Sequence, residues 1–457
     1  MKKREFLAMG GAVPLMLAGC GGDGSGSAPV RLVNASVGYQ SPGLGFMVNT
    51  TQATSSDVLY GGVSPLETVE AGTVTVALTA TTTSGTATVF SSTRTLSKDS
   101  RYDLIAYGFK DELRALLVTE RDTAPDTGYA AINVINTSSD IGPVDVYLST
   151  TTDLSIATQI ASSVGSTSGP ASSVYSQVLP GSYLITVTGA GSTTDIRLQA
   201  TTTIALADQQ IFTVILTPGA SGTLANAIVI QQGTDVTAAP ANFVNSTARV
   251  RVVSSINDDS AVIAVDGILS PIASPSPTQY TVVTLTTPLN VTVNGANVPV
   301  VGRTNTPVTE TIVAAPSAGG DYTLMIYLDA NGAPTASLLL DDNTAPITST
   351  NAKMRLLNLV YNPTTADHTL GLAMYVNSNL VATNILYANA SGYVEVPVPT
   401  NQQSVVEIKS GATLLFSHTT PVAVGRTYTD IVVGTGSSGN YGGIQDSFFS
   451  ATAVISN

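Results

Sequence analysis

Tryptophan is absent from this 457-residue chain, cysteine occurs once, as Cys20, and histidine twice, as His368 and His418. A single cysteine rules out intrachain disulfides, so each folded unit must stand on its apolar core. A zinc site asks for three or four ligands drawn from Cys, His and carboxylates. A serine triad needs a histidine as its base. Neither histidine precedes residue 368 and no G-x-S-x-G occurs, so both are read as isolated surface or strand-end residues. Without tryptophan the chain lacks the ring on which sugar-binding sandwiches most often stack their ligand. Of its 17 tyrosines, Tyr107, Tyr147, Tyr327 and Tyr375 lie inside strand-like stretches and are read as packing residues. Charge is scarce too, at 11% of residues against roughly 25% in ordinary soluble domains. What charge there is sums to −13, which argues against nucleic acid, whose binding needs clustered Lys and Arg to displace counterions.

The first twenty residues, "MKKREFLAMGGAVPLMLAGC", carry an address. Lys2, Lys3 and Arg4 precede an apolar run from Phe6 to Met16, followed by small residues. That order is a secretory leader, and the run is too short to span a bilayer, which takes roughly 20 residues. Leu17-Ala18-Gly19-Cys20 resembles the lipobox of bacterial lipoproteins. The resemblance implies a signal peptide over 1–19, cleavage before Cys20 and diacylglycerol on its thiol, so the membrane is the first partner. Cleavage removes Lys2, Lys3, Arg4 and Glu5, a net +2, and takes the formal charge from −13 to −15. Several acyl chains on one residue hold essentially permanently where one holds marginally. Lys3-Arg4-Glu5-Phe6-Leu7 is similar to a twin-arginine export motif with lysine in the first basic place, so export by general secretion or by that route both stand. Gly21 is not the aspartate that retains some lipoproteins at the inner membrane, which favours the outer membrane. Gly21 to Pro29 reads as a flexible tether.

Beyond the tether the chain repeats. "VRLVNAS" at 30–36 recurs as "INVINTS" at 132–138, "VRVVSSI" at 250–256 and "MRLLNLV" at 354–360, which aligns Asn34, Asn136, Ser254 and Asn358. An aromatic landmark follows each start at a nearly constant distance: Tyr102, Phe212, Tyr322 and Tyr428. Within each unit "TVTVALTA", "SYLITVTG" and "YVEVPVPT" alternate apolar with polar residues, as half-buried strands do. "LPGSY", "DANGAP" and "NGAN" mark turns between them. About seven short strands in roughly 110 residues fit an immunoglobulin-like sandwich, although no Cys pair or Trp marks an antibody-type domain. The expectation is an all-β tandem array of four Ig-like antiparallel sandwiches: repeat 1 over 30–126, repeat 2 over 127–240, repeat 3 over 241–347 and repeat 4 over 348–457. Joints such as "RDTAPDTG" and "DDNTAPITSTN" are short, which predicts close neighbours in a semi-rigid rod.

The "VRLVNAS" opening, the "VDVY" strand, the "LPGSYLITVT" strand and "YDLIAYG" together resemble a family of bacterial envelope domains, domain of unknown function 4397. That family is typically found in tandem on lipoproteins, and it brings no catalytic residues to carry over. Repeat 3 departs from its pattern, with "VVSSIND" for "LVNAS".

The remaining motifs are weak. "GTGSSG" at 434–439 matches G-x-G-x-x-G, but a strand pattern follows it where a dinucleotide site needs a helix. Asp258-Asp259 and Asp341-Asp342 are adjacent, and in a strand such pairs point to opposite faces. In a loop, Asp341-Asp342-Asn343 could offer oxygens to a calcium ion at the joint between repeats. "NTT" at 49–51 and "NST" at 245–247 match the glycosylation sequon by composition alone. No catalytic, cofactor-binding or metal-ligating residue is assigned; the one site residue is Cys20, for lipidation. The sequence thus predicts a lipid-anchored, non-catalytic envelope protein that meets a protein or glycan at the cell surface. The alternative is a periplasm-facing spacer or scaffold. Neither nucleic acid nor nucleotide is expected as a partner.

Overall fold

Branched and aromatic residues at every second position, interrupted by Gly, Asn and Pro turns, produce a molecule made almost entirely of strands. In the computed structural model the described residues are 26–49, 51–52, 57–83, 85–108, 113–138, 140–165, 170–219, 221–233, 240–256, 262–265, 278–284, 289–302, 312–344, 346, 348, 350–361, 371–435 and 441–446. The one helical element among them is a 3-10 turn, Leu154–Ile156. No helix among these residues is long and apolar enough to cross a membrane.

Each repeat builds two sheets. In repeat 1 the first sheet runs, edge to edge, Glu67–Glu70, Ser27–Ala35, Tyr102–Tyr107 and Arg114–Thr119. Its second sheet runs Thr51–Gln52, Leu44–Val48, Gly72–Thr82 and Gly85–Leu96. The pattern recurs with opening strands Ala130–Asn136, Thr247–Ser254 and Asn351–Tyr361, each beside an aromatic-led strand, Ile211–Pro218, Asp321–Leu328 and Thr427–Thr435. A closing strand flanks each of these: Ala225–Gln231, Pro334–Asp341 and Tyr441–Asp446.

The alternation predicted antiparallel sheets, and one pairing per repeat departs from that. Opening and aromatic-led strands pair in parallel, with Val30 opposite Tyr102, Ile132 opposite Phe212, Val250 opposite Tyr322 and Met354 opposite Tyr428. Parallel neighbours need a long crossover, and the chain supplies it by building the whole second sheet between the two strands. The constant distance between the sequence landmarks is therefore the length of that crossover. Sequence reading also gave Gly21 to Pro29 to the tether. Ser27, Ala28 and Pro29 instead pair with Glu70, Val69 and Thr68, and Ala28 enters the core.

Between the two sheets of each repeat lies an apolar core. Leu32, Phe46, Leu78 and Leu104 fill the first, and Val134, Val146, Val187 and Val214 the second. Val252, Val265, Val291 and Leu324 fill the third, and Leu356, Met374, Ile408 and Val432 the fourth. Three aromatic landmarks lock a corner as well. The hydroxyls of Tyr102, Tyr322 and Tyr428 accept from the backbone N–H of Ser97, Ser317 and Ala423 at 2.7, 2.9 and 2.7 Å. A tyrosine near the start of the penultimate strand bonding a few residues upstream is the tyrosine corner of immunoglobulin-like sandwiches. Phe212, without a hydroxyl, cannot make it in repeat 2.

The first sheets carry apolar residues on both faces. Val33, Ala35, Ile105 and Tyr107 of repeat 1 pack against Ile135, Ile215, Ile228 and Ile230 of repeat 2. Val253, Met325, Tyr327 and Leu339 of repeat 3 likewise meet Leu357, Leu359, Tyr387, Ile431 and Val433 of repeat 4. Where a rod of neighbours was predicted, repeats 1 and 2 and repeats 3 and 4 thus pack sheet against sheet. Between repeats 2 and 3 the contact is polar and close: the backbone N–H of Asp321 donates to Ser221 Oγ at 3.0 Å, and Asn245 Nδ2 to the carbonyl of Arg197 at 2.6 Å. Gly222 adopts φ 96° there, and a Cβ would stand 3.1 Å from Thr344 backbone, so only glycine fits.

Candidate functional site

Cys20 and the leader lie outside the described residues, as do His368 and the pair Asp258-Asp259. Gly434 and Thr435 of "GTGSSG" end a strand, and the next described element is again a strand, Tyr441–Asp446, paired antiparallel with it. No helix N-terminus is offered to a phosphate among the described residues. Asn245 of one sequon is buried and donates to the carbonyls of Arg197 and Ala225, so glycan attachment there would break the fold. Asn49 of the other is exposed at a turn with φ 56°. Of the tyrosines read as packing, Tyr107 and Tyr327 are buried in the paired faces, while Lys409 covers the ring of Tyr375 at 4.2 Å.

The sparse charges gather at the paired faces, which sequence reasoning missed. Arg31, Asn133, Arg251 and Arg355 occupy one repeat position, opposite Asp103, Thr213, Thr323 and Thr429 in the parallel register. A signal was present: an arginine recurs inside the apolar openings "VRLV", "RVRV" and "KMRL". All three of these arginines are buried. Arg31 bonds Asp103 at 2.6 Å and Glu120 at 2.7 Å and reaches the carbonyl of Gln231 in repeat 2 at 3.0 Å. Glu120 accepts from Gly233 N–H, and Gln232 Oε1 accepts from Arg121 N–H, so both chains of the joint are stitched.

The seam between repeats 3 and 4 repeats the design with more charge. Asp341 accepts from Tyr280 Oη at 2.5 Å, from Thr323 Oγ1 at 2.7 Å and from Arg355 of the next repeat. Arg251 reaches across to Thr429 at 3.3 Å. Tyr280 covers the guanidinium groups of Arg249 and Arg251, and Tyr393 covers Arg355 at 4.4 Å. Burial pushes both phenols well above their ordinary values, and Tyr280 donates to Asp341 as a neutral phenol. Asn343 donates to Asp321 at 2.8 Å, and Asp342 pairs with Lys353 at 2.7 Å. The carboxylate oxygens of Asp341 and Asp342 considered for calcium are therefore already held by cations and donors of the protein. Among the described residues no group of three or more His, Cys, Asp or Glu is placed to hold a metal ion.

His418 has one notable neighbour. Its Nε2 stands 3.4 Å from Asp430 Oδ2, and neither that nitrogen nor either carboxylate oxygen has a hydrogen-bond partner. Burial raises Asp430 to about 7 and lowers His418.

Residues 28–147 match the model of the family described as domain of unknown function (DUF4397). The chain resembles DUF4397. The match takes in repeat 1 and the start of repeat 2, ending at Tyr147 within "VDVY". No curated protein matches the chain. Among solved structures, the Bacillus anthracis TIE protein aligns at 8% sequence identity, covering 90% of this chain and 68% of that one, with a TM-score of 0.15. At that score the alignment carries no argument. The DUF4397 likeness brings no reaction with it.

Proposed function

We propose that the chain is a lipid-anchored cell-envelope protein, tethered through Cys20, that presents its repeats to a protein or glycan partner without catalysing a reaction. The observation that carries this reading is where the chemically capable side chains are used. Arg31, Asp103, Glu120, Arg251, Asp341 and Arg355 are spent on seams between repeats. The second sheets face outward with Thr and Ser instead, most openly along Gly85–Leu96, an edge strand of twelve residues. An exposed edge is suited to accepting an extended segment of a partner by main-chain hydrogen bonds. The alternative, a periplasm-facing spacer, draws support from the sheet-on-sheet packing, which resists bending as a spacer must. In cells, wild-type protein is expected to fractionate with membranes and Cys20→Ala with the soluble fraction. Protease added to intact cells is expected to remove the repeats. Full protection would overturn surface presentation in favour of the spacer, and membrane retention of Cys20→Ala would overturn the anchor.

A further inference from the structure

The four repeats serve as an internal alignment of one fold. Register places Leu104, Val214, Leu324 and Asp430 at the same position of the aromatic-led strand. The position that faces it from the second sheet holds Ser92 opposite Val76 in repeat 1 and His418 opposite Val406 in repeat 4. Repeat 2 has Ala200 there, its N–H bonded to Ile185. Asp430 thus stands where the other three repeats place an aliphatic residue, and the half-buried His418 stands where repeats 1 and 2 place Ser92 and Ala200. Asp430 is wholly buried between Tyr428 and Val432 on the core face, and its oxygens meet no donor but His418.

We propose that His418 and Asp430 form a proton-held latch that closes the edge strand Thr413–Pro421 onto the core of repeat 4. One proton held between the two side chains satisfies the pair, either on the carboxyl or as an imidazolium–carboxylate contact. Without it a buried carboxylate faces a neutral ring, and the edge opens. Among the described side chains, no charged group but His418 stands against Asp430. The opening strand offers Leu356 on this face and turns Lys353 and Arg355 to Asp342 and Asp341. The strand Gln403–Ser410 offers Val406, while its Glu407 and Lys409 bind each other at 3.0 Å. The closing strand places Gln445 opposite Asp430 and Asp446 opposite Thr429. On its own strand and the turn before it, Tyr428 accepts from Ala423 N–H, and Arg426 lies in the turn.

The direction with pH follows from linkage. Asp430 is raised by burial from 3.8 to about 7, so its contribution is full below the unfolded value and is lost as pH rises through about 7. His418 is lowered by burial, so alone it acts in the opposite sense. Restoring the aliphatic residue of the other repeats, Asp430→Leu, should therefore help far more at pH 8 than at pH 5. Amide hydrogen exchange on the full chain, corrected for intrinsic rates, reads this locally over Thr413–Pro421. The protection gained by Asp430→Leu at pH 8 is expected to exceed that at pH 5 at least about tenfold, each pKa unit being worth tenfold. Asp430→Asn, which keeps the shape and cannot titrate in this range, should show the same sign if the leucine variant folds poorly. Equal gains at both pH values would overturn the latch. So would protection that rises in wild type, and not in Asp430→Asn, on adding zinc chloride, which would make the pair a metal site.

Discussion

At the scale of single residues, the repeated asparagine explains why the opening motif persists. Asn136 Nδ2 donates to the carbonyls of Gly142 and Val164 at 2.8 and 3.0 Å, and its Oδ1 accepts from Ser138 N–H. Asn34 does the same with Tyr39, Val58 and Ser36. The side chain is a buried peg that ties loops to the sheet, and Ser254 of repeat 3 accepts in the same way, from Ile256 N–H. Asn136→Ala should leave two buried carbonyls unsatisfied and cost about 2 kcal/mol, read by chemical denaturation. Arg31 is a stronger case. Replacing it with methionine strands Asp103 and Glu120 without their cation, and breaking a buried pair from one side costs about 3–5 kcal/mol. Asp103 itself is pushed up to about 6, chiefly by burial, with Arg31 opposing and Glu120 adding. Its contribution is therefore full below the ordinary carboxylate value and lost as pH rises through about 6. Local exchange protection across Tyr102–Tyr107 should fall over that range, and Asp103→Asn should flatten the fall.

Among elements, the first and second sheets obey different sequence rules because they have different surroundings. Ala130–Asn136 and Ile211–Pro218 are buried at every position, since one face meets the repeat's own core and the other a neighbouring repeat. Strands covered on both sides read as continuous apolar runs. Gly85–Leu96, covered on one side only and lying at an edge, is mostly exposed or half-buried. The strands themselves were legible from alternation and turn chemistry. Which of them would pair in parallel was not, because parallel partners sit some seventy residues apart and no local pattern marks them. Ile215 tests the pairing face. Ile215→Ala removes a fully buried side chain between repeats and should cost about 3 kcal/mol. The exchange it provokes should appear on Val33 and Ile105 of repeat 1 as well as on its own strand. An effect confined to repeat 2 would contradict the shared face.

For the whole molecule, joined faces imply joined stability. Tyr327, Tyr361 and Tyr387 stack edge to face at 5.8 and 5.7 Å across the seam of repeats 3 and 4, and ion pairs run alongside. Repeats that share this much buried surface should unfold together. Calorimetry of the chain without its leader is expected to resolve two main transitions, one for each pair, and four independent ones would refute the coupling. Buried ion pairs contribute little net energy over an apolar seam, so the arginines act mainly to fix which faces meet and in what register.

The sequence by itself determined the strand content, the repetition and the position of its own landmarks, because alternation, turn residues and repeat spacing are local or periodic properties of the chain. It also carried, unread, the arginine recurring inside apolar openings. Tertiary structure alone decided that repeats lie sheet on sheet, that Asp341 serves Arg355 of the following repeat, and that His418 meets Asp430. Those outcomes depend on residues far apart in the chain whose shared face exists only once both sheets have formed.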